Sequence, residues 1–238
     1  VIVSSLVFGA ALAADVVVVV SPGVAIEAYA PVITGLRTAG HTVHAVSTPC
    51  MGGGVDKQVA RMRSALDRHP EHVLVAHGVG AALALMANSA RTTRYALLAP
   101  TLDVWPVAAS KNIADLPLPA AVDLAETEGT FPSVRLLVGE APPLSCMARQ
   151  LAVDLQGWLR TGDVPTEHLA SVHKPVWLAV SAGDNLSAVE AVIPAARLIT
   201  DRRVVRMGLK RLDPMDFTHA QMLTHPIVVR TVVGAVTP

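Results

Sequence analysis

Residues 73–85 read Val-Leu-Val-Ala-His-Gly-Val-Gly-Ala-Ala-Leu-Ala-Leu: an apolar run, a turn of small residues, then a second apolar run. A turn of the form small-x-nucleophile-x-small, set where a sheet strand meets a helix, exposes its central side chain for attack on a carbonyl carbon. Ala76 and Gly80 are the small residues here, and Gly78 holds the nucleophile's place. Glycine has no group that can attack, so the turn is shaped for acyl transfer and lacks the reacting atom. Two other nucleophiles, Ser21 and Cys50, fall at the ends of neighbouring strands, and neither sits on such a turn. His41, His44, His69, His72, His168, His173 and His225 show no metal-ligand spacing. Gly52-Gly53-Gly54 lacks both the Lys-Ser/Thr of a phosphate loop and the spacing of a dinucleotide fingerprint. No metal and no cofactor are expected.

The elements that must position this turn follow from hydrophobic patterning. Val16–Val20 is an unbroken valine run ending in Ser21-Pro22-Gly23, as expected of a buried parallel strand meeting a loop. A helix is predicted over 26–39, closed by Gly40, then a strand over 41–47 and a helix over 55–68. A strand over 72–76, a helix over 79–90 and a strand over 95–99 complete the first half. This alternation specifies an α/β fold with a doubly wound, mostly parallel sheet, its sites at the C-terminal edge of the strands. Periodicity breaks from 101 to 173, where prolines recur at 106, 117, 119, 132, 142, 143 and 165 around one helix at 144–159. A strand at 176–181, a helix at 188–198, a strand at 203–207 and a helix at 227–236 follow. The organisation is a core in two parts, 1–100 and 174–238, interrupted by a small inserted cap at 101–173.

Composition narrows the function classes. The 238 residues are 52% hydrophobic and only 16% charged, with Lys+Arg and Asp+Glu balanced at 19 each. That balance leaves no electrostatic footprint for nucleic acid. Cys50 and Cys146 are too few for a disulfide framework and are read as reduced and structural. Residues 1–14 are apolar and end in an Ala-Leu-Ala stretch, without a positively charged start. They leave open an outer strand pair, a membrane-associated segment or a retained targeting remnant, with membrane proximity through residues 1–20. The compartment is undetermined, a membrane-associated complex being favoured over a free cytoplasmic protein.

Over 16–100 and 174–236 the chain resembles the α/β-hydrolase superfamily, in particular its cap-bearing lipase-like and aminopeptidase-like branch. Ala76-His77-Gly78-Val79-Gly80 looks like the nucleophile elbow. Asp184, in a Gly-Asp loop after the strand 176–181, looks like the triad acid, and His219, in Asp216-Phe217-Thr218-His219, looks like the triad histidine. The order nucleophile, acid, histidine is the family's. The resemblance also implies oxyanion donors at Val79, after the elbow residue, and at the third position of a His-Gly-x-Gly loop. Here that loop reads Val20-Ser21-Pro22-Gly23, which puts Pro22, without an N–H, at the donor position. Ser47-Thr48-Pro49-Cys50-Met51-Gly52 departs from the family's Asp-x-x-Gly-x-Gly as well, a difference of loop shape. His77 is expected to pack against a neighbouring loop.

Removing the Ser of such a triad costs about six orders of magnitude in turnover. The expected function is therefore that of a catalytically inactive α/β-hydrolase-like protein, a pseudoenzyme serving as a structural or accessory subunit among other protein subunits. Gly78, Asp184 and His219 are then relic positions, with Asp184 and His219 kept as a hydrogen-bonded pair joining two loops. Two alternatives stay open. One is a module binding an apolar small molecule or acyl chain under the cap. The other is a weakly active esterase or thioesterase using His219 and Asp184, with water in place of the serine.

Overall fold

The computed structural model describes residues 13–47, 53–102, 147–161, 166–184, 187–211 and 213–237. Residues 1–12, both cysteines and most of the 101–173 insertion lie outside them, and with them the readings made for the N-terminal segment and the cap.

The valine run forms β1 (Asp15–Val20), buried on both faces as a run without polar alternation must be. Around it lie β2 (Thr42–Ser47), β3 (His72–His77), β4 (Thr92–Leu98), β5 (Val176–Ser181) and β6 (Arg202–Met207). All pair in parallel, in the order β2-β1-β3-β4-β5-β6. The chain winds outward from β1 to β2, then returns across β1 to lay β3 on its other side. This reversal makes the C-terminal ends of β1 and β3 the switch point of the sheet, where an open α/β sheet forms its crevice. Ser21 leaves β1 there, and Gly78 leaves β3.

Helices cover both faces. On one, α2 (Val55–Leu66), α3 (Gly78–Ala87), α4 (Arg149–Thr161) and α5 (Val189–Ala196) bury Met62, Leu66, Leu83, Leu151 and Val192 against Val17, Val19, Leu74 and Leu97. On the other, α1 (Ala30–Thr38), α6 (Gln221–Thr224) and α7 (Pro226–Val236) bury Leu36, Leu223, Val228 and Val232 against Val16, Val18, Val75 and Leu98. Successive strand residues point to opposite faces, so each strand contributes to both cores.

Some boundaries differ from expectation for local reasons. The segment predicted as one helix over 26–39 opens as a 3₁₀ turn, Ile26–Tyr29, before α1. Pro31 has no N–H to return to the Glu27 carbonyl, which takes the N–H of Ala30 instead. α3 stops at Ala87 rather than Ala90 because Asn88 turns left-handed, with φ +40°. That early stop lets β4 begin at Thr92 instead of Tyr95. In the insertion, α4 begins at Arg149 and runs against α2, where Asp154 Oδ2 accepts the Val55 N–H at 2.7 Å and so caps α2. Among the described residues no helix is long and apolar enough to cross a membrane.

Candidate active site

β3 passes into α3 at Gly78, whose φ of +55° is the left-handed conformation that a strand-to-helix elbow requires. A β-carbon built on Gly78 would lie 3.0 Å from His219 Nε2 and 3.5 Å from Ser21 Oγ. The elbow therefore points at the histidine although its own side chain is missing. Val79 follows in the first turn of α3, where backbone N–H groups have no partner within the helix.

Ser21 stitches β1 to this elbow. Its hydroxyl donates to the His77 carbonyl and accepts the Gly80 N–H at 3.0 Å, while its own N–H donates to Tyr29 Oη at 2.8 Å. A β-carbon on Gly80 would come within 2.9 Å of Ser21 Oγ and 3.1 Å of Ser21 Cα, so the close approach requires glycine there. With its proton committed to a carbonyl, Ser21 is a brace and not a nucleophile. Burial pushes the Tyr29 hydroxyl up to about 12, which keeps it neutral beneath the brace.

After Ser21 the chain makes a tight turn, with the Val24 N–H donating to the Ser21 carbonyl at 3.1 Å and Gly23 at φ +76°. Proline then glycine at the two central positions is the signature of a type II turn. Pro22 lies in this turn beside the elbow and has no N–H to offer an oxyanion. Met147, two residues before α4, closes over the turn: a β-carbon on Gly23 would sit 2.9 Å from its Cε.

Asp184 and His219 do come together, from loops 35 residues apart in sequence. His219 Nδ1–H donates to Asp184 Oδ2 at 2.9 Å, in a setting where Asp184 is 2% and His219 9% exposed. The carboxylate takes one ring nitrogen and the other, Nε2, faces Gly78. A histidine oriented this way can accept a proton from a nucleophile.

His77 packs against the loop that carries His219. Its Nε2–H donates to the backbone carbonyl of His219 at 3.0 Å, and the two rings lie in contact, centroids 4.2 Å apart and planes tilted by 50°. Complete burial, with the neighbouring His219 second, lowers the His77 pKa to about 3. The ring is therefore neutral, and its buried Nδ1 has no hydrogen-bond partner.

Three supporting residues escaped the sequence reading. Ser181 Oγ, at the end of β5, accepts the Phe217 N–H at 2.8 Å, which ties the acid loop to the histidine loop. The Ser187 N–H donates to Asp184 Oδ1 at 2.9 Å and holds the second carboxylate oxygen. The Ser187 hydroxyl donates to the carbonyl of Ala99 at 2.6 Å, and Ala99 is itself left-handed at φ +43°. A non-glycine residue in that conformation marks local strain held by its surroundings. The detectable signal was a serine three residues after an aspartate, the spacing at which an Asp side chain accepts a backbone N–H.

No family model and no curated protein matches the sequence. Solved structures do match along nearly the whole chain. A monoacylglycerol lipase of Paleococcus ferrophilus superposes with a TM-score of 0.64 at 16% identity, over 94% of this chain and 96% of that one. An esterase of Exiguobacterium antarcticum gives 0.64 at 11% identity, over 94% and 92%. A thioesterase domain from the curacin biosynthetic pathway gives 0.59 at 13% identity, over 96% and 92%.

These neighbours overturn the expectation of an inactive accessory subunit. They are a lipase, an esterase and a thioesterase, and nothing in them points to a pseudoenzyme or to a subunit of a larger complex. The fold neighbours are enzymes. The parallel sheet, its strand order and these superpositions establish the α/β-hydrolase fold for this chain.

Proposed function

We propose that this chain is a weak hydrolase of thioesters, and more slowly of esters, in which water takes the place of the serine nucleophile. The observation that carries this reading is the orientation of His219. Its Nδ1 is held by Asp184 at 2.9 Å, and its Nε2 faces the elbow position, 3.0 Å from where a Gly78 β-carbon would stand. In this mechanism water attacks the acyl carbon as Nε2 takes one of its protons. The tetrahedral oxyanion is stabilised by the Val79 N–H at the positive end of α3. The intermediate collapses with cleavage of the C–S or C–O bond, and His219 returns the proton to the leaving thiolate or alkoxide. The products are a carboxylic acid and a thiol or alcohol.

Three points support the thioester preference and the weak rate. Without N–H donation from Pro22 the oxyanion loses one donor, a deficit of about 10²- to 10³-fold. A thiol, with a pKa of about 8.5, departs more readily than an alcohol and depends less on that stabilisation. Hydrolases stripped of their triad serine still exceed the uncatalysed reaction by about 10³- to 10⁴-fold, through binding and oxyanion stabilisation. The solved neighbours named as thioesterase and esterase fit the same substrate classes. The test is steady-state turnover of a short-chain acyl thioester and of 4-nitrophenyl acetate by the wild type and by His219→Ala. Turnover by the wild type that disappears in the variant supports the proposal. Equal rates in the two proteins overturn it.

A further inference from the structure

A second concave surface lies at the opposite end of the strands from Gly78 and His219. It is a groove of about 450 Å³ between the C-terminal half of α7 and the first residues of β4, β5 and β6. Strand register sets its floor: Trp177 of β5 pairs with Arg203 of β6 and with Ala96 of β4. Arg94 stands two residues before Ala96 and so points to the same face. Arg211 reaches in from the turn after β6.

The charge of the groove is uneven. Arg94, Arg203 and Arg211 line it, against the single carboxylate of Asp201. Asp201 forms no ion pair with any of the three. Two of the arginines are held by neutral groups: Arg94 donates to the Val236 carbonyl at 2.9 Å, and Arg211 Nη1 to Met207 Sδ at 2.8 Å and Thr231 Oγ1 at 3.4 Å. A guanidinium has five N–H donors, so each keeps several free. Three cations against one anion leave the groove two positive charges in excess. The wall beside them is apolar, formed by Trp177, Val205 and Ala235. On the helix side Gly234 faces open space, since a β-carbon there would meet no atom within 4 Å.

We propose that this groove is a binding site for a small aryl phosphate monoester, separate from the hydrolytic centre. The phosphate dianion matches the excess of two positive charges, and guanidinium groups engage its oxygens in pairs. The aryl ring lies on the apolar wall beside Trp177, in the room left by Gly234. A volume of about 450 Å³ falls within the range of small-molecule sites.

The test is isothermal titration of the full chain with 1-naphthyl phosphate, with 1-naphthoate as a monoanionic comparison. Four proteins are compared: the wild type, Arg203→Gln, Arg211→Gln and Gly234→Leu. The expected result is one saturable site, with naphthoate bound more weakly than the phosphate. Each arginine variant should weaken phosphate binding by about tenfold, the effect of losing one charged hydrogen-bonding partner. Gly234→Leu, which fills the groove from a helical position, should abolish binding while the melting temperature is kept. Absence of saturable binding to the wild type at millimolar ligand overturns the proposal. So does binding that all three variants retain, which would place the ligand elsewhere. Because the readout is binding and not turnover, it is independent of whether the chain hydrolyses thioesters.

Discussion

His219 Nε2 stands 3.0 Å from the position that a β-carbon on Gly78 would occupy, so one missing side chain separates this site from a complete nucleophile–histidine–acid row. Gly78→Ser should therefore install a nucleophile. The variant is expected to show a burst of acyl-enzyme formation and labelling by a fluorophosphonate, neither of which the wild type can give at position 78. The new residue must adopt φ near +55°, a strain of about 1–3 kcal/mol. It must also displace the His219 ring by a few tenths of an ångström, because 3.0 Å is tighter than ordinary contact. A lower melting temperature together with labelling is the expected pair of results. A folded variant that stays unlabelled would show that the elbow does not aim at His219.

Asp184→Asn tests the orientation of the histidine. The amide preserves the shape but no longer favours the tautomer with a proton on Nδ1, and in a complete triad this change lowers turnover by about 10⁴-fold. Thioester turnover should fall to the His219→Ala level, while the Ser187 N–H still finds an oxygen acceptor at position 184. Turnover equal to that of the wild type would remove Asp184 from the mechanism.

Ser181→Ala tests the tie between the acid and histidine loops. The substitution leaves the buried Phe217 N–H without its acceptor at 2.8 Å. A loss of about 1–3 kcal/mol is expected from chemical denaturation. Turnover should fall as well, since His219 follows Phe217 by two residues. A change in stability without a change in turnover would show that the loop is held by other contacts.

His77 predicts how stability depends on pH. Its pKa is about 3 in the folded protein and about 6.5 when unfolded. Between these values the unfolded chain binds the extra proton, so stability falls as pH drops from about 6.5 toward 3. The full effect is on the order of 5 kcal/mol, and buried His72, also lowered by desolvation, acts in the same direction. Urea unfolding of the wild type and His77→Gln at pH 5 and pH 7 measures the slope. The variant should be the less pH-sensitive of the two, and equal slopes would assign the effect to other groups.

Much of this architecture was legible in the sequence because its signals are local. A short run of β-branched valines closed by Ser-Pro-Gly favours a strand buried on both faces, and the turn at Gly78 declares itself by three small residues around a strand–helix junction. Asp184 and His219 were singled out by the resemblance to the hydrolase family, and the fold brings them to within one hydrogen bond. The cross-strand supports left no comparable trace. The Ser21 hydroxyl meets partners 56 and 59 residues away, and Ser181 meets Phe217 across 36. A lone serine at the end of a strand looks the same whether it braces an elbow or faces solvent.

By itself the sequence determined the strand and helix alternation, the parallel sheet and the absence of a hydroxyl at position 78, since each depends on residue type and short-range periodicity. Only the tertiary structure decided that His219 keeps its carboxylate and aims at the empty elbow. Only it showed that Ser21 is committed as a brace, and that three arginines from separate segments share one groove. Those relationships depend on which loops the sheet order brings to the same end of the strands. That order is set by the burial of two continuous cores, one on each face, and no single segment of the chain carries it.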